Sequence, residues 1–260
     1  MGSARPIMLR GQPIAGGIMP AICTPLLART REALLAEISE VLPKRPDVVE
    51  WRVDFFDALG DTGLVIDTAQ ALRAAAQGVP LLFTRRAAEE GGERVDLSES
   101  RVVELYEAVC AARCVDLIDY ELAHSAEAFG RLREASRSQG IALIGSYHDF
   151  HSTPSSAAIV ERFREAQKRG ADVGKVAVMP KSPADVLTLL AATFDASRTL
   201  DIAIIGMSMG EYGSVSRMVG AVFGSALTFA VGKASSAPGQ IPIEELREIV
   251  VSVRRSTGDA

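Results

Sequence analysis

Short apolar segments alternate with longer amphipathic segments along the chain from residue 20 onward. The apolar segments have the length and β-branched content of strands. The predicted strands are Ala21–Leu26, Asp47–Asp54, Leu81–Arg85, Val115–Tyr120, Ala142–Tyr147, Val173–Val178, Ile202–Met207 and Leu227–Val231. Strands that alternate with helices form βαβ units and a parallel sheet. About eight units of roughly 30 residues predict an α/β protein, a (β/α)8 TIM barrel, in a single domain over residues 1–260. Residues 1–17 precede this pattern and are predicted to form a short hairpin or an arm.

Three segments carry the signature of a helix start. Thr153 before Pro154, and Ser182 before Pro183, predict an N-cap followed by proline at the first helical position. Asp96 with Glu99 three residues later resembles a capping box. These starts place helices between the predicted strands.

An open doubly wound sheet would show the same alternation of strands and helices. The chain has no G-x-G-x-x-G after its first predicted strand and no G-x-x-x-x-G-K-[ST]. The absence of these phosphate-binding motifs favours the barrel.

Composition excludes several classes of protein. A chain that is 48% hydrophobic and 23% charged is typical of a packed globular protein. The net charge of −5, without a basic stripe, argues against nucleic acid as a partner. No apolar run reaches the roughly 18 residues of a membrane span, and residues 1–10 do not resemble an export signal. Cys23, Cys110 and Cys114 form no metal-ligand array and are expected to be reduced thiols, which predicts a cytoplasmic protein.

The second predicted strand carries charges on alternate positions. Glu50, Arg52 and Asp54 fall on one face of it. In an antiparallel sheet that face would simply be solvated, whereas a parallel barrel covers both faces. We favour the second interpretation, in which the three charges point inward and must pair or bind a ligand.

Two further polar residues lie at the ends of consecutive strands. His148 follows an apolar strand and has a side chain suited to general acid–base catalysis, whereas His124 and His151 are expected to be solvated. Lys175 lies inside an apolar strand. It either pairs with Glu50 or Asp54, extends to the barrel mouth, or acts as an amine nucleophile toward a carbonyl group.

Two later segments have the composition of ligand-binding loops. Arg217 follows the strand that ends at Met207, and its planar guanidinium suits the binding of a carboxylate. The segment 233–240 is small and polar, as expected of a mobile lid or of a surface loop.

A set of motifs occurs in order along nearly the whole chain from Met19. They are E-W-R-V-D-F-F, R-x-x-x-E-G-G from Arg86 to Gly92, S-Y-H-D-F, G-K-V-A-V-M, M-S-M-G followed by S-R, and S-A-P-G-Q. Each motif alone is weak, but the ordered set is specific. It resembles the type I 3-dehydroquinase family, the imine-forming dehydratases of the shikimate pathway.

The resemblance implies roles for individual residues. Lys175 matches the Schiff-base lysine, His148 the general acid/base, and Glu90 the carboxylate that orients the histidine. The residues implied to contact substrate are Glu50, Arg52 and Arg86 at its hydroxyls, Arg217 at its carboxylate, Ser236 and Gln240 in the lid, and Met207, Met209, Phe150 and Phe229 in the apolar walls. One departure is Pro25, which stands where some relatives have a ligand-contacting serine, with Thr24 adjacent.

The resemblance implies dehydration of 3-dehydroquinate to 3-dehydroshikimate through a lysine imine and a syn elimination by the histidine. It implies no metal and no organic cofactor, and it implies a homodimer. Two alternatives stay open. A class I aldolase-type barrel would use the same lysine to cleave a carbon–carbon bond of a phosphorylated sugar, and a non-enzymatic barrel would retain the pocket only to bind a metabolite.

Overall fold

The computed structural model describes residues 4–9, 11–17 and 19–257, without the side chains of 15–17. Residues 1–3, 10, 18 and 258–260 of the predicted domain lie outside this part of the chain, and the domain limits 1–260 stay a prediction. The chain begins with an antiparallel hairpin of β1 (Ala4–Leu9) and β2 (Gln12–Gly17), so the predicted hairpin is confirmed. The strands that follow are β3 (Ala21–Leu26), β4 (Val48–Arg52), β5 (Leu81–Thr84), β6 (Leu117–Glu121), β7 (Ala142–Asp149), β8 (Val173–Val178), β9 (Ala203–Ser208) and β10 (Leu227–Phe229).

These strands form one parallel sheet in the order β10-β3-β4-β5-β6-β7-β8-β9. The two ends of this order meet where Ser225, just before β10, bridges to Ile204 in β9. The Ala226 N–H donates to the Ile204 carbonyl oxygen at 2.7 Å across the same seam. The sheet therefore curls into a nearly closed barrel, which confirms the predicted TIM barrel.

Helices cover the outside of the barrel. They are α1 (Arg31–Val41), α2 (Thr62–Ala75), α3 (Glu99–Ala111), α4 (Ala126–Ser138), α5 (Ser156–Lys168), α6 (Pro183–Thr199), α7 (Gly210–Val219) and α8 (Ile243–Ser256). Outward strand residues such as Trp51 and Phe83 are fully buried beneath this layer. Both faces of the barrel strands are thus largely withdrawn from water, as is usual for parallel sheets.

The barrel interior changes character along its axis. Near the strand starts, Val173 and Ala203 share an apolar cluster with Ile7 and Leu9 of the hairpin, which covers that end. Toward the strand ends the inward side chains are charged or polar. Burying a charged group is costly unless the group is paired or binds a ligand. The polar end of the interior is therefore the expected place of the chemistry, at the carboxyl ends of the strands.

Most predicted strands agree with the structure to within one or two residues. The prediction for Asp47–Asp54 ran too far, because Asp54 lies in a 3₁₀ turn (Val53–Phe55). Its carboxylate accepts the backbone N–H groups of Arg86 at 3.2 Å and Glu93 at 3.0 Å, which bends the chain away from the sheet. The prediction for β7 was too short, since pairing with β8 continues through His148 and Asp149.

Two of the three predicted helix starts were wrong by two residues. The α5 cap is Ser155, whose hydroxyl accepts the Ala158 N–H at 3.3 Å, because Thr153 is bonded instead to the Met179 carbonyl oxygen at 3.1 Å. The α3 cap is Ser98 and not Asp96. At α6 the predicted Ser182 cap is confirmed, with Pro183 at the first helical position.

The stability of the barrel wall is testable at Phe83. Its ring lies 5.6 Å from Trp51 and 5.0 Å from Tyr106, between centroids, and is fully buried. Phe83→Ala should lower the free energy of unfolding by about 3–5 kcal/mol, because it leaves a cavity. Urea unfolding followed by the fluorescence of Trp51, the single tryptophan, measures this. Phe83→Leu should lower the free energy of unfolding clearly less. An equal loss of stability in the two variants would contradict the packing argument.

Candidate active site

A cavity opens at the carboxyl ends of the barrel strands. All of the predicted catalytic and substrate-contacting side chains line it. They come from strand ends, from the loop after β5, from α7 and from the segment 233–240: Glu50, Arg52, Arg86, Glu90, His148, Phe150, Lys175, Met207, Met209, Arg217, Phe229, Ser236 and Gln240. Residues distant in the chain thus meet in one place.

Lys175 projects from β8 into this cavity and is buried. Its Nζ donates to Asp119 Oδ2 at 2.9 Å and lies 4.6 Å from the centroid of the Phe229 ring. The predicted pairing with Glu50 or Asp54 was therefore wrong. The ammonium partner comes from β6, two strands away in the sheet.

Asp119 is the residue that the sequence analysis missed. It is fully buried, and its Oδ1 accepts from Ser146 Oγ at 2.6 Å and forms an ion pair with Arg86 Nη2 at 2.8 Å. Burial raises the pKa of this carboxyl, but Arg86 and Lys175 more than offset burial and hold the pKa well below its usual range. The signal was present, because Asp119 and Glu121 alternate on a parallel strand as Glu50 and Arg52 do.

His148 and Glu90 form a buried pair. Glu90 Oε2 lies 2.8 Å from His148 Nδ1 and also accepts the His148 backbone N–H at 2.9 Å. Burial raises the pKa of Glu90 to about 7, although Arg86 opposes the shift. Burial, then Arg86 and Lys175, hold the pKa of His148 well below its usual range. When Glu90 is ionised, its carboxylate accepts a hydrogen bond from Nδ1–H of His148. The other nitrogen of the neutral imidazole, Nε2, is then unprotonated and can act as a base.

Two glycines after Glu90 bring this carboxylate under the histidine. Gly91 has a φ of 83°, and a Cβ there would lie 2.3 Å from Phe150 Cζ. A Cβ at Gly92 would lie 2.0 Å from the Arg86 carbonyl oxygen. The E-G-G motif is therefore needed for the tight return of the loop.

The remaining polar wall consists of charged side chains that are hydrogen-bonded or paired. Glu50 accepts from Thr84 Oγ1 at 2.9 Å, and Arg52 binds Asp54 through two bonds of 2.8 and 2.7 Å. Arg86 donates to Glu121 at 2.8 Å and forms the ion pair with Asp119. The three charges predicted to point inward from the second strand are buried. Arg52 and Asp54 pair with each other, and Glu50 and Arg52 also face the cavity.

Arg217 differs from the other cavity cations. It is 2% exposed, and its Nη2 donates to the Pro238 carbonyl oxygen at 3.2 Å while Nη1 lies 3.5 Å from Met207 Sδ. Its buried Nε has no hydrogen-bond partner, and no carboxylate of the described residues forms an ion pair with it. Burial lowers the pKa of Arg217 to about 10. A buried guanidinium without a counter-ion is suited to bind an anionic group.

The segment 233–240 lies across the cavity beside Arg217. Within it, the Ser236 N–H donates to Gln240 Oε1, and Gln240 Nε2 donates to Ser236 Oγ, both at 3.1 Å. These reciprocal bonds order the segment so that both side chains line the cavity. This placement agrees with the lid interpretation, although the motion itself stays a prediction.

Some sequence-predicted residues lie elsewhere. Neither Thr24 nor Pro25 lines the cavity, and Thr24 Oγ1 donates to the Ala230 carbonyl oxygen at 3.1 Å. His151 is exposed as predicted. His124 is half-buried, because its ring stacks on Tyr120 with centroids 4.6 Å apart and its Nε2 lies 3.1 Å from Glu121 Oε2, so the expectation that it is solvated was wrong.

Three further observations concern metals, thiols and membranes. Within the described ranges, no group of three or more His, Cys, Asp or Glu side chains is arranged to hold a metal ion. Cys23, Cys110 and Cys114 are free and buried. None of the helices described here is long and apolar enough to cross a bilayer.

Comparison with known proteins identifies the family. The family model of type I 3-dehydroquinase matches residues 22–256. A 3-dehydroquinate dehydratase of Albidiferax ferrireducens is 52% identical over 259 residues, covering 100% of this chain and 98% of the relative.

Solved structures agree with this match. The 3-dehydroquinate dehydratase of Geobacillus kaustophilus superposes with a TM-score of 0.94 at 44% identity, covering 98% of both chains. The type I enzyme of Clostridium difficile, solved with covalently modified comenic acid, gives a TM-score of 0.92 at 37% identity, covering 97% of this chain and 99% of that one. The chain therefore belongs to the type I 3-dehydroquinase family and is a dehydratase.

Proposed function

We propose that this chain dehydrates 3-dehydroquinate to 3-dehydroshikimate through an imine on Lys175. The observation that carries the proposal is the meeting of three groups in one buried cavity. They are the Lys175 amine, the His148–Glu90 pair and the Arg217 guanidinium, which has no carboxylate partner among the described residues. They match a nucleophile, a proton carrier and an anion site, which the dehydration of a keto acid requires.

Imine formation uses the Lys175 nitrogen. The neutral amine adds to the C3 carbonyl carbon, the carbonyl oxygen is protonated twice and leaves as water, and a C=N bond remains. Counted from the ammonium form, an ammonium and a ketone become a protonated imine and water, so the net charge is conserved. The covalently modified comenic acid in the Clostridium difficile relative supports the presence of a nucleophile in this family.

Elimination uses His148. The protonated imine withdraws electrons from C2, and Nε2 of the neutral His148 removes a C2 proton to leave an enamine. The same imidazolium then donates that proton to the C1 hydroxyl, which departs as water while the C1–C2 double bond forms. Ionised Glu90 accepts from Nδ1 and stabilises the imidazolium between the two steps. Water then hydrolyses the product imine and frees Lys175.

Binding orients the substrate for these steps. Arg217 binds the carboxylate through its planar guanidinium, and Glu50, Arg52 and Arg86, which line the same cavity, bind ring hydroxyls. The remaining lining side chains close the cavity over the ring and exclude bulk water: Met207, Phe229, Ser236 and Gln240. The homodimer stays a prediction from the resemblance, and the cytoplasmic location stays a prediction from the three cysteines.

The nucleophile is tested by Lys175→Ala. This variant should fold but lose at least about 10⁴-fold in kcat, because water or a free amine cannot replace a positioned nucleophile. Turnover is followed by the ultraviolet absorbance of the conjugated product. Lys181→Ala, at an exposed lysine, should retain normal turnover. A folded Lys175→Ala variant with wild-type turnover would refute the assignment.

The anion site is tested by Arg217→Ala. The variant should bind 3-dehydroshikimate about 10- to 100-fold more weakly, since charge-assisted hydrogen bonds to the carboxylate are lost. Calorimetric titration measures the Kd. Arg217→Lys keeps the charge without the planar geometry, so its Kd should lie between those of the wild type and Arg217→Ala. Unchanged affinity in Arg217→Ala would exclude this residue as the carboxylate partner.

The pH profile tests Glu90. Its carboxyl has a pKa of about 7 and must be ionised to accept from His148 Nδ1, so kcat/KM should fall as pH drops through about 7. The pKa of His148 is lower, and its protonation should add a second loss only at more acidic pH. The kcat/KM profile of Glu90→Gln should have a lower plateau and should lack the fall near pH 7. An identical acidic limb in that variant would contradict the assignment.

A further inference from the structure

We infer that Asp119 is the counter-ion of the Lys175 nitrogen throughout the reaction, first as ammonium and then as the protonated imine. This inference rests on the proposed function and assigns a role to a residue that the family motifs quoted above do not include. The observations that carry it are the contact between the two side chains, the burial of both, and the distribution of the remaining charges.

The two oxygens of the Asp119 carboxylate serve three partners. Oδ2 accepts from Lys175 Nζ at 2.9 Å, whereas Oδ1 accepts from Ser146 Oγ at 2.6 Å and pairs with Arg86 Nη2 at 2.8 Å. Asp119 is 0% exposed and Lys175 is 4% exposed. Water therefore cannot replace either partner, and the carboxylate lies in contact with the atom that becomes the imine nitrogen.

Charge balance explains why one residue serves both forms. The Lys175 nitrogen carries one positive charge as ammonium and again as protonated imine, with one N–H left in the second form to donate to Oδ2. A ketimine is an effective electron sink only while it is protonated. A buried carboxylate at hydrogen-bond distance keeps it protonated to higher pH.

The partners of Asp119 Oδ1 limit how strongly the carboxylate stabilises the protonated imine. Arg86 and Ser146 share the negative charge of Asp119, so the carboxylate stabilises the imine cation without forming an exclusive ion pair with it. Because electron withdrawal from C2 needs an electron-poor nitrogen, this sharing preserves the acidity of the C2 proton. The same Arg86 thus links substrate binding to the counter-ion.

Other titratable groups surround the pair and must be separated from it in any test. Those that interact with Asp119, with Lys175 or with their partner Arg86 are Glu50, Glu90, Glu121, His148, Cys23 and Tyr106. Glu121 is the closest match to Asp119 among them. It lies on the same strand, is equally buried and pairs with the same Arg86 at 2.8 Å, but it has no bond to Lys175.

The test compares Asp119→Asn with Glu121→Gln. We expect Asp119→Asn to lower the maximal kcat about 100-fold, comparable to the loss of one preorganised electrostatic contact. The alkaline limb of its kcat profile should move about one to three units toward lower pH, because the imine loses its proton more easily. Glu121→Gln should lower kcat less and leave this limb in place. A merely structural role for Asp119 would not move the limb.

Ser146→Ala provides a second variant with an intact carboxylate. Removing the hydroxyl donor leaves more negative charge for the cation, so the alkaline limb should move toward higher pH. This variant decides the matter if Asp119→Asn does not fold. An alkaline limb unmoved or lowered in Ser146→Ala, unmoved in Asp119→Asn, or moved equally in Glu121→Gln would overturn the inference.

Trapping of wild-type enzyme with borohydride and 3-dehydroquinate separates this inference from the proposed function. No adduct on wild-type Lys175 would refute the imine and its counter-ion together. A wild-type adduct with unaltered pH limbs in the variants would refute the counter-ion alone. A wild-type adduct with the opposite shifts in Asp119→Asn and Ser146→Ala supports it.

Discussion

A closed parallel barrel withdraws both faces of its strands from water, so a charge that points inward must find a partner inside. Asp119 meets this requirement for two cations at once, with Lys175 on one oxygen and Arg86 on the other. Arg86 in turn binds Glu121, and its loop is fastened to Asp54 by a backbone hydrogen bond. The interior is therefore a connected set of charges supplied by different strands, most of which are paired only when those strands lie side by side.

This connected set also explains where the chemistry lies. The apolar half of the interior, capped by the hairpin, supplies hydrophobic stability, whereas the polar half holds charges whose burial alters their titration. Burial lowers the pKa of His148 well below its usual range and raises the pKa of Glu90 to about 7. Arg217 is the exception, since no carboxylate of the described chain balances it, and a bound carboxylate would supply the missing partner.

The sequence predicted the barrel well because its strands are short apolar segments between amphipathic helices. Inward charges were found on β4, where Glu50 and Arg52 alternate with bulky apolar residues. They were missed on β6, where Asp119 and Glu121 show the same alternation at the end of an apolar run. Glu90 entered only through the family resemblance, because its position depends on the return of a 3₁₀ turn through Gly91 toward another strand. Such a long-range approach leaves no periodic pattern.

The most direct test of the account is an intact-mass spectrum of the protein mixed with 3-dehydroquinate and borohydride, followed by peptide mapping. The account predicts a single dehydrated adduct on Lys175. Elimination takes place on the imine, so the imine that borohydride reduces carries the skeleton of the product. An adduct that retains the C1 hydroxyl would support the amine role without demonstrating the elimination step. The absence of any adduct on a folded protein, while a control imine-forming enzyme reacts, would contradict the central claim.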